Sequence, residues 1–251
     1  QTITGNVDST GSSNGTLNFL GNTSSVTGAI GSTYPLALVS FNGAGAINLP
    51  SNAKSALFNV GNASAIVTAN QLITANLAYT AAGTFNAENG LTGNVDFAGH
   101  AGTFNLALGQ TITGNVDSIG SSNGHLNLTN GRVTGTVGTI NPLSSVTFYA
   151  GASSLGAAAR AINFTVADAG AIVTASGLMT GAVGYTAGGS MEIDAGLIGN
   201  VDFAGYAGTL NIGAGQIITG NVDSTGSSNG SLIFLGNTSS VTGIIGATNP
   251  L

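Results

Sequence analysis

The sequence predicts an all-β fold, a parallel β-solenoid (β-helix) built from coils of about 20 residues, with nearly no helix. Three observations predict it. The chain contains a long internal repeat, a shorter spacing recurs within that repeat, and short segments alternate apolar with polar residues between glycine- and asparagine-rich turns. Repetition has to be recognised first, because stacked units replace the usual count of independent domains.

The long repeat is visible directly. The segment QTITGNVDSTGSSNG at residues 1–15 returns with one change at 110–124, and with a different single change at 216–230. Other segments return at a similar offset, as GNVDFAG at 93–99 does at 199–205. We therefore interpret the chain as one continuous β-solenoid over residues 1–251, comprising long repeats at 1–109 and 110–215 and a partial repeat at 216–251. The partial third copy leads us to expect that the natural protein continues beyond Leu251.

A shorter spacing indicates the size of one coil. Thr74, Thr92, Thr113 and Thr134 each begin a similar segment, at nearly even intervals along the chain. The unit of about 20 residues that they mark is too short for a pair of helices and has the size of one solenoid coil. About twelve coils stacked at about 4.8 Å would form a rod roughly 55 to 60 Å long.

Alternation within the segments predicts which side chains face the core, since successive residues of a strand point to opposite sides. Stacking then places equivalent residues directly above one another. The spacing predicts two buried ladders and one exposed polar ladder: Ile73, Leu91, Ile112 and Val133; Leu77, Val95, Val116 and Val137; and Asn76, Asn94 and Asn115. A two-residue deletion in the second copy predicts that residues 21–25 form a surface corner, because a turn absorbs a deletion without reversing the faces of the strands.

The composition excludes several classes of function. Three basic residues against nine acidic ones give a net charge of −6, which argues against a nucleic-acid partner. There is no cysteine, so disulfides and thiolate metal sites are excluded. Apolar runs are far shorter than the roughly 20 residues that span a bilayer, so we expect no membrane insertion of this segment.

Paired aspartates are the clearest candidates for a metal site. Asp96 and Asp117 are separated by one coil-sized interval, as are Asp202 and Asp223, so each pair is expected on adjacent coils. Stacked like charges repel, and a bound calcium ion would relieve the repulsion. The alternative is that each carboxylate caps its own corner by accepting backbone N–H groups. We favour capping, because the known calcium-loop patterns are missing.

No other side chains predict catalysis or a cofactor. Glu192 and Asp194 are the only closely spaced carboxylates, and they are expected on the outer side of a strand whose Met191 and Ile193 face the core. His100 and His125 are replaced by other residue types in the other copies. The sequence therefore predicts a protein that is not an enzyme, with no catalytic or cofactor-binding residue.

Two surface patterns could form recurring sites. Lys54 and Arg160 lie one period apart, which would give a repeated basic spot or merely two solvated side chains. Thr-x-Thr at 2–4 and 111–113 is similar to the flat threonine arrays of ice-binding solenoids, but the third copy breaks it with Ile217.

The motifs resemble a known family. ITGNVDSTGSSNGTLNFLG at 3–21, followed by SSVTGAIG at 24–31, is similar to the passenger repeats of rickettsial-type autotransporter surface antigens, the outer membrane protein A and B group. The resemblance implies an extracellular β-solenoid passenger on the bacterial cell surface that adheres to host cells. The matched motif is structural, so the resemblance assigns no functional residue.

Three functions remain open at this stage. The first is a cell-surface stalk or adhesin whose partner is the host-cell surface. The second is a self-assembling extracellular fibre or surface-layer subunit, whose partners are like subunits in a homo-oligomer or filament. The third, a carbohydrate-active solenoid enzyme, is disfavoured because the chain has few acids and bases that could converge on a substrate.

Overall fold

The computed structural model describes all residues from 1 to 251 and contains 29 strands and no helix. Every pairing between strands is parallel, and the strands form two hydrogen-bonded sheets. One sheet contains β1 (Thr2–Ile3), β3 (Thr23–Val26), β5 (Gly45–Leu49), β7 (Ala65–Ala69), β9 (Thr84–Ala87), β12 (Thr103–Leu106), β15 (His125–Thr129), β17 (Leu143–Tyr149), β19 (Ala159–Val166), β21 (Met179–Tyr185), β23 (Leu197–Ile198), β24 (Val201–Asp202), β26 (Ile217–Thr219), β27 (Val222–Asp223) and β29 (Ser240–Val241). The other contains β2 (Thr16–Phe19), β4 (Leu36–Phe41), β6 (Ala53–Val60), β8 (Ile73–Tyr79), β10 (Leu91–Thr92), β11 (Val95–Asp96), β13 (Thr111–Thr113), β14 (Val116–Asp117), β16 (Arg132–Val133), β18 (Gly151–Leu155), β20 (Ala171–Ala175), β22 (Ser190–Ile193), β25 (Thr209–Ile212) and β28 (Ser231–Phe234).

Strand register resolves the stack into three columns of side chains, each with one residue from every coil. The first column is Val7, Ile30, Ala53, Ile73, Leu91, Ile112, Val133, Leu155, Ala175, Ile193, Ile212 and Phe234. The second is Leu17, Val39, Phe58, Leu77, Val95, Val116, Val137, Ala159, Met179, Leu197, Ile218 and Val241. The third is Ser24, Ile47, Val67, Phe85, Phe104, Leu126, Val146, Phe164, Val183, Val201, Val222 and Ile245. We name the three faces of the solenoid after these columns.

These columns confirm the predicted β-solenoid and both predicted apolar ladders. The four residues from Ile73 to Val133 lie in the first column, and the four from Leu77 to Val137 lie in the second. All eight are at most 1% exposed, so alternation identified the buried side of each strand correctly. Twelve rungs in each column also agree with the expected number of coils.

Residues that are one long period apart lie on different faces of the solenoid as well as on different coils. Ile73 lies in the first column, but Met179, one period later, lies in the second; Leu77 and Val183 likewise lie in the second and third. One long period therefore covers five coils and about a third of another. Equivalent residues of successive copies consequently occupy different faces.

This rotation rules out both recurring surface patterns. Lys54 follows a first-column residue and Arg160 follows a second-column residue, so they do not form one basic spot. Thr2–Ile3 pairs along the third face, whereas Thr111–Thr113 pairs along the first. The Thr-x-Thr segments therefore build no shared array.

Aromatic rings fill the interior of the first long repeat. Phe85 and Phe104 stack with centroids 5.8 Å apart, and Tyr79 stacks on Phe97 at 4.8 Å. The hydroxyl of Tyr79 donates to the Thr103 carbonyl at 2.9 Å, which satisfies its buried polar group. Burial raises the pKa of Tyr79 well above its ordinary value, so the phenol stays neutral.

The deletion lies at a corner that is smaller than predicted. Between β2 and β3 the turn covers only residues 20–22, and residues 23–25 already belong to β3. In the second copy, Asn130 and Gly131 alone connect β15 to β16, with Asn130 at φ 48°. The left-handed conformation of Asn130 allows this shorter turn, and the flanking strands keep the same sides toward the core.

Candidate functional site

The aspartate pairs lie on adjacent coils, as their spacing indicated. Asp96 is in register with Asp117, and Asp202 with Asp223. Each carboxylate follows a buried valine at the point where the chain leaves a face and turns a corner. The pairs therefore line corners of the solenoid rather than a groove.

Each of these carboxylates accepts hydrogen bonds from its own corner and from the next coil. Asp117 accepts the N–H groups of Ser118 at 2.9 Å, Ile140 at 3.0 Å and Asn141 at 3.2 Å. Asp96 accepts from its own corner at Ala98, at 2.7 Å, and from the next coil. Each carboxylate thus links two coils, because it accepts hydrogen bonds from backbone N–H groups that take no part in strand pairing.

Hydrogen bonding also lowers the pKa of Asp202 and of Asp223. Burial and repulsion from Asp223 oppose ionisation of Asp202, but donors from Thr225 and Ala204 outweigh both, and the pKa of Asp202 is lowered below 3.8. The Thr248 hydroxyl is the main cause of the lowered pKa of Asp223. These carboxylates are therefore charged at neutral pH and stabilised in that form.

The same observations bear on the calcium hypothesis. No group of three or more His, Cys, Asp or Glu side chains converges in the structure. The oxygens of Asp117 that a cation would bind already accept N–H groups. Asp96, Asp117, Asp202 and Asp223 are placed as corner caps, as the favoured interpretation has them, and calcium binding at these pairs stays the alternative hypothesis.

The predicted ladder of Asn76, Asn94 and Asn115 also joins adjacent coils, by contacts from side chain to main chain. The Asn76 side-chain oxygen accepts the N–H of Asn94 at 3.0 Å, and Asn94 accepts the N–H of Asn115 at 2.9 Å. Such bonds satisfy backbone donors where the strands are interrupted. The Gly-Asn-Val-Asp motif is therefore a device that holds coils together.

The remaining predicted residues do not form a catalytic group. Met191 and Ile193 are fully buried, which leaves Glu192 on the outer side of β22 and Asp194 just beyond it, as alternation predicted. His125 is half-buried, and its Nδ1 lies 2.9 Å from the Ser145 hydroxyl. These side chains lie on different faces.

A groove on the third face was not predicted. It has a volume of about 400 Å³ and crosses the ends of four successive strands, β9, β12, β15 and β17. It is lined by Glu88, Asn105, Leu106, Ala107, Asn127, Thr129 and Tyr149. The small side chain of Ala107 leaves space between the larger residues of the neighbouring coils.

A ladder of amides forms one wall of the groove. The side-chain N–H of Asn127 donates to the Asn105 oxygen at 2.7 Å, and Asn105 donates to Asn86 at the same distance. Asn86 donates in turn to the Thr68 hydroxyl at 3.2 Å. Each asparagine is thereby fixed in one orientation, and each keeps a second amide hydrogen free.

The signal for this wall was present in the sequence. Thr84-Phe-Asn86, Thr103-Phe-Asn105 and His125-Leu-Asn127 recur at the coil spacing, each with a buried residue between two polar ones. The groove itself depends on Ala107 lying beside larger residues of other coils, which only the register shows.

Comparison with known proteins agrees with the resemblance of the motifs. The chain is 28% identical to outer membrane protein A of Rickettsia rickettsii across 99% of its own length. It spans only 12% of that protein. No family model and no solved structure matches the chain.

Two further findings concern location. The name of the relative gives the bacterial outer membrane as its place, in agreement with the predicted extracellular, cell-surface localisation. No helix long and apolar enough to cross a membrane occurs in the structure. Over its whole length, the chain is similar to rickettsial outer membrane protein A, which confirms the resemblance predicted from its repeats.

Proposed function

We propose that this chain is a non-enzymatic part of a bacterial surface passenger, a rigid β-solenoid stalk that presents an adhesive face to host cells. The observation that carries the proposal is the combination of a twelve-rung parallel solenoid with similarity, over 99% of this chain, to an outer membrane protein. Solenoids stack repeats into extended surfaces, which suit binding over a large area.

The distribution of polar groups supports a structural and binding role. The acidic side chains with well-defined partners are engaged at corners, where they accept hydrogen bonds from two coils. No buried side-chain polar atom lacks a hydrogen-bond partner, which supports a structural role for the interior. Exposed groups for recognition are concentrated on the outer faces, above all in the groove of the third face.

Self-assembly into a fibre is the second candidate. Phe234 is 43% exposed and Ile245 48% exposed, although both occupy column positions that are buried in earlier coils. Apolar column residues of this kind, beside unpaired strand edges, can be covered by a further coil of the same protein or by another copy of the chain.

Cell binding tests the first candidate. Fluorescently labelled chain is incubated with cultured mammalian cells, and the expected result is saturable binding that unlabelled chain displaces. Heat-unfolded chain serves as the control for non-specific adsorption. Absence of saturable binding would contradict the adhesive role.

Electron microscopy and sedimentation across a concentration series separate the two candidates. Discrete rods at all concentrations support a monomeric stalk. Filaments that disappear when Phe234 and Ile245 are both replaced by serine would instead support assembly as the function.

A further inference from the structure

The groove on the third face is the strongest unassigned feature of the surface. Its polar wall consists of Asn105 and Asn127, both half-buried, and the groove is also lined by Tyr149, which is 40% exposed and in register with Thr129. Glu88 lies at one end and Thr129 beside the ring. A few placed polar groups beside an apolar surface are typical of ligand sites.

The side-chain amides of the wall are preorganised in the unliganded protein. The side-chain bond from Asn127 to Asn105, and that from Asn105 to Asn86, hold each amide in place from the coil below. One amide hydrogen of Asn105 and one of Asn127 remain free, and the Asn127 oxygen accepts no hydrogen bond from the protein. A ligand would therefore meet fixed donors and acceptors at little cost in side-chain entropy.

The pairing of amides with a ring selects the chemistry of the ligand. Adjacent hydroxyls of a sugar both donate and accept hydrogen bonds, which matches an amide that offers an N–H and an oxygen. The C–H face of a sugar ring packs on an aromatic ring such as Tyr149, whose surface is apolar with a polar tip.

The charge of the groove favours neutral sugars over anionic ones. None of the three basic residues of the chain lines the groove: Lys54 and Arg132 adjoin the first column, Arg160 adjoins the second, and Arg132 follows Thr129 by three residues across the corner. Glu88 is the charged residue of the groove. Sulfated or sialylated glycans would meet a carboxylate and no cation among the residues that line the groove, and are disfavoured.

We propose that this groove binds a neutral oligosaccharide of the host-cell surface, with Asn105 and Asn127 hydrogen-bonding its hydroxyls and Tyr149 packing against a sugar ring. The inference rests on the proposed adhesive function and names the ligand class of that adhesion.

The chain contains its own control for this site. One period after Asn86 and Asn105, the positions are Glu192 and Asn211 on the first face, and the rung after Asn211 holds Ile233 where the groove holds Asn127. Gly213 and Leu235 follow there in place of Ala107 and Thr129. None of the cavities in the structure is lined by these counterparts. Asn127→Ile thus introduces a residue that the repeat already accommodates.

Nuclear magnetic resonance of the side-chain amides tests the proposal. Cellohexaose, chitohexaose and lacto-N-neohexaose are titrated into the labelled chain, with a heparin hexasaccharide as the anionic comparison. We expect saturable shifts of the Asn105 and Asn127 amides with at least one neutral sugar. Tyr149→Ala should weaken binding at least fivefold and Asn127→Ile should abolish it, whereas Tyr206→Ala and Asn211→Ala should leave it unchanged within twofold.

Several results would overturn the proposal: no saturable shift with any of the three neutral sugars, tighter binding of heparin, or binding that survives Asn127→Ile. Cell binding by the same variants separates this inference from the proposed function. Undiminished cell binding by a variant that has lost sugar binding would leave adhesion standing and remove the groove as its cause. Sugar binding without cell binding would refute adhesion and leave the groove as a sugar site.

Discussion

The two long repeats share a sequence pattern but not a surface. Across the junction of the first and second repeats, Asn86, Asn105 and Asn127 form a continuous amide ladder beside a groove. One period later, across the junction of the second and the partial third repeat, Asn211 lies between Glu192 and Ile233 on another face and makes no side-chain hydrogen bond. The interior is maintained in both repeats, since Phe85 and Met191 are equally buried at equivalent positions.

The difference shows what repetition constrains. Column residues are confined by neighbours above and below, so they change only among apolar side chains of similar size. Outward residues meet solvent, and the rotation by a third of a coil places each copy in a different setting. A repeat can therefore preserve its core while one copy alone acquires a binding surface.

The largest expected effect comes from the interior. Phe85→Ala should cost about 3 to 5 kcal/mol of unfolding free energy, and Met191→Ala about 2 to 5. Phe85 also stacks on Phe104, an interaction worth a further ~0.5 to 1.5 kcal/mol, whereas Met191 is flanked in register by Val173 and Leu210. Urea denaturation monitored with hydrogen exchange would measure both losses, since coils can open locally. Equal losses would show that the aromatic stack adds nothing to the first repeat.

The second-largest effect should come from acid, which destabilises the corners that Asp202 and Asp223 cap. The pKa values of Asp202 and Asp223 are lowered in the folded chain from 3.8, so their stabilisation is fully present above that value and is lost as pH falls below it. We expect a melting temperature that is flat from about pH 7 to pH 5 and falls below about pH 4.

Replacing both Asp202 and Asp223 by asparagine should lower the melting temperature at pH 7 and make its fall in acid shallower. Asp194→Asn is the matched control, because Asp194 accepts no hydrogen bond from the protein. A fall in acid as steep in the double variant as in the original chain would contradict a role for these corners in acid stability.

The amide ladder should contribute less, and unequally between the repeats. Asn105→Ala removes the bonds to both Asn86 and Asn127 and should cost about 1 to 2 kcal/mol, given roughly 1 kcal/mol for each hydrogen bond. Asn211→Ala removes none and should cost less than about 0.5 kcal/mol. Thermal denaturation of the two variants would measure the difference, and a larger loss for Asn211 would refute the ladder as a source of stability.

The same contrast between core and surface determines how much of the structure the sequence could predict. The ladders through Ile112 and Val116 were predictable because alternation and coil spacing both constrain them. The rotation was not predicted, although coils of unequal length need not fit a whole number of times into the long period. The groove could not be predicted, because its volume depends on Ala107 lying between larger residues of coils whose register was unknown.

Calcium should have the smallest effect, and it tests whether the two aspartate pairs differ. Both pairs stack in register, but the oxygens of Asp117 and Asp223 already accept backbone N–H groups from the next coil. A cation would have to displace those donors and leave them unpaired, which offsets the relief of repulsion between the carboxylates. We therefore expect the melting temperature in millimolar calcium to equal that in chelator, measured by calorimetry at neutral pH. A rise in the melting temperature with calcium that Asp117→Asn abolishes would instead establish the pair of Asp96 and Asp117 as a cation site. The same comparison with Asp223→Asn would show whether the pair of Asp202 and Asp223 is one too.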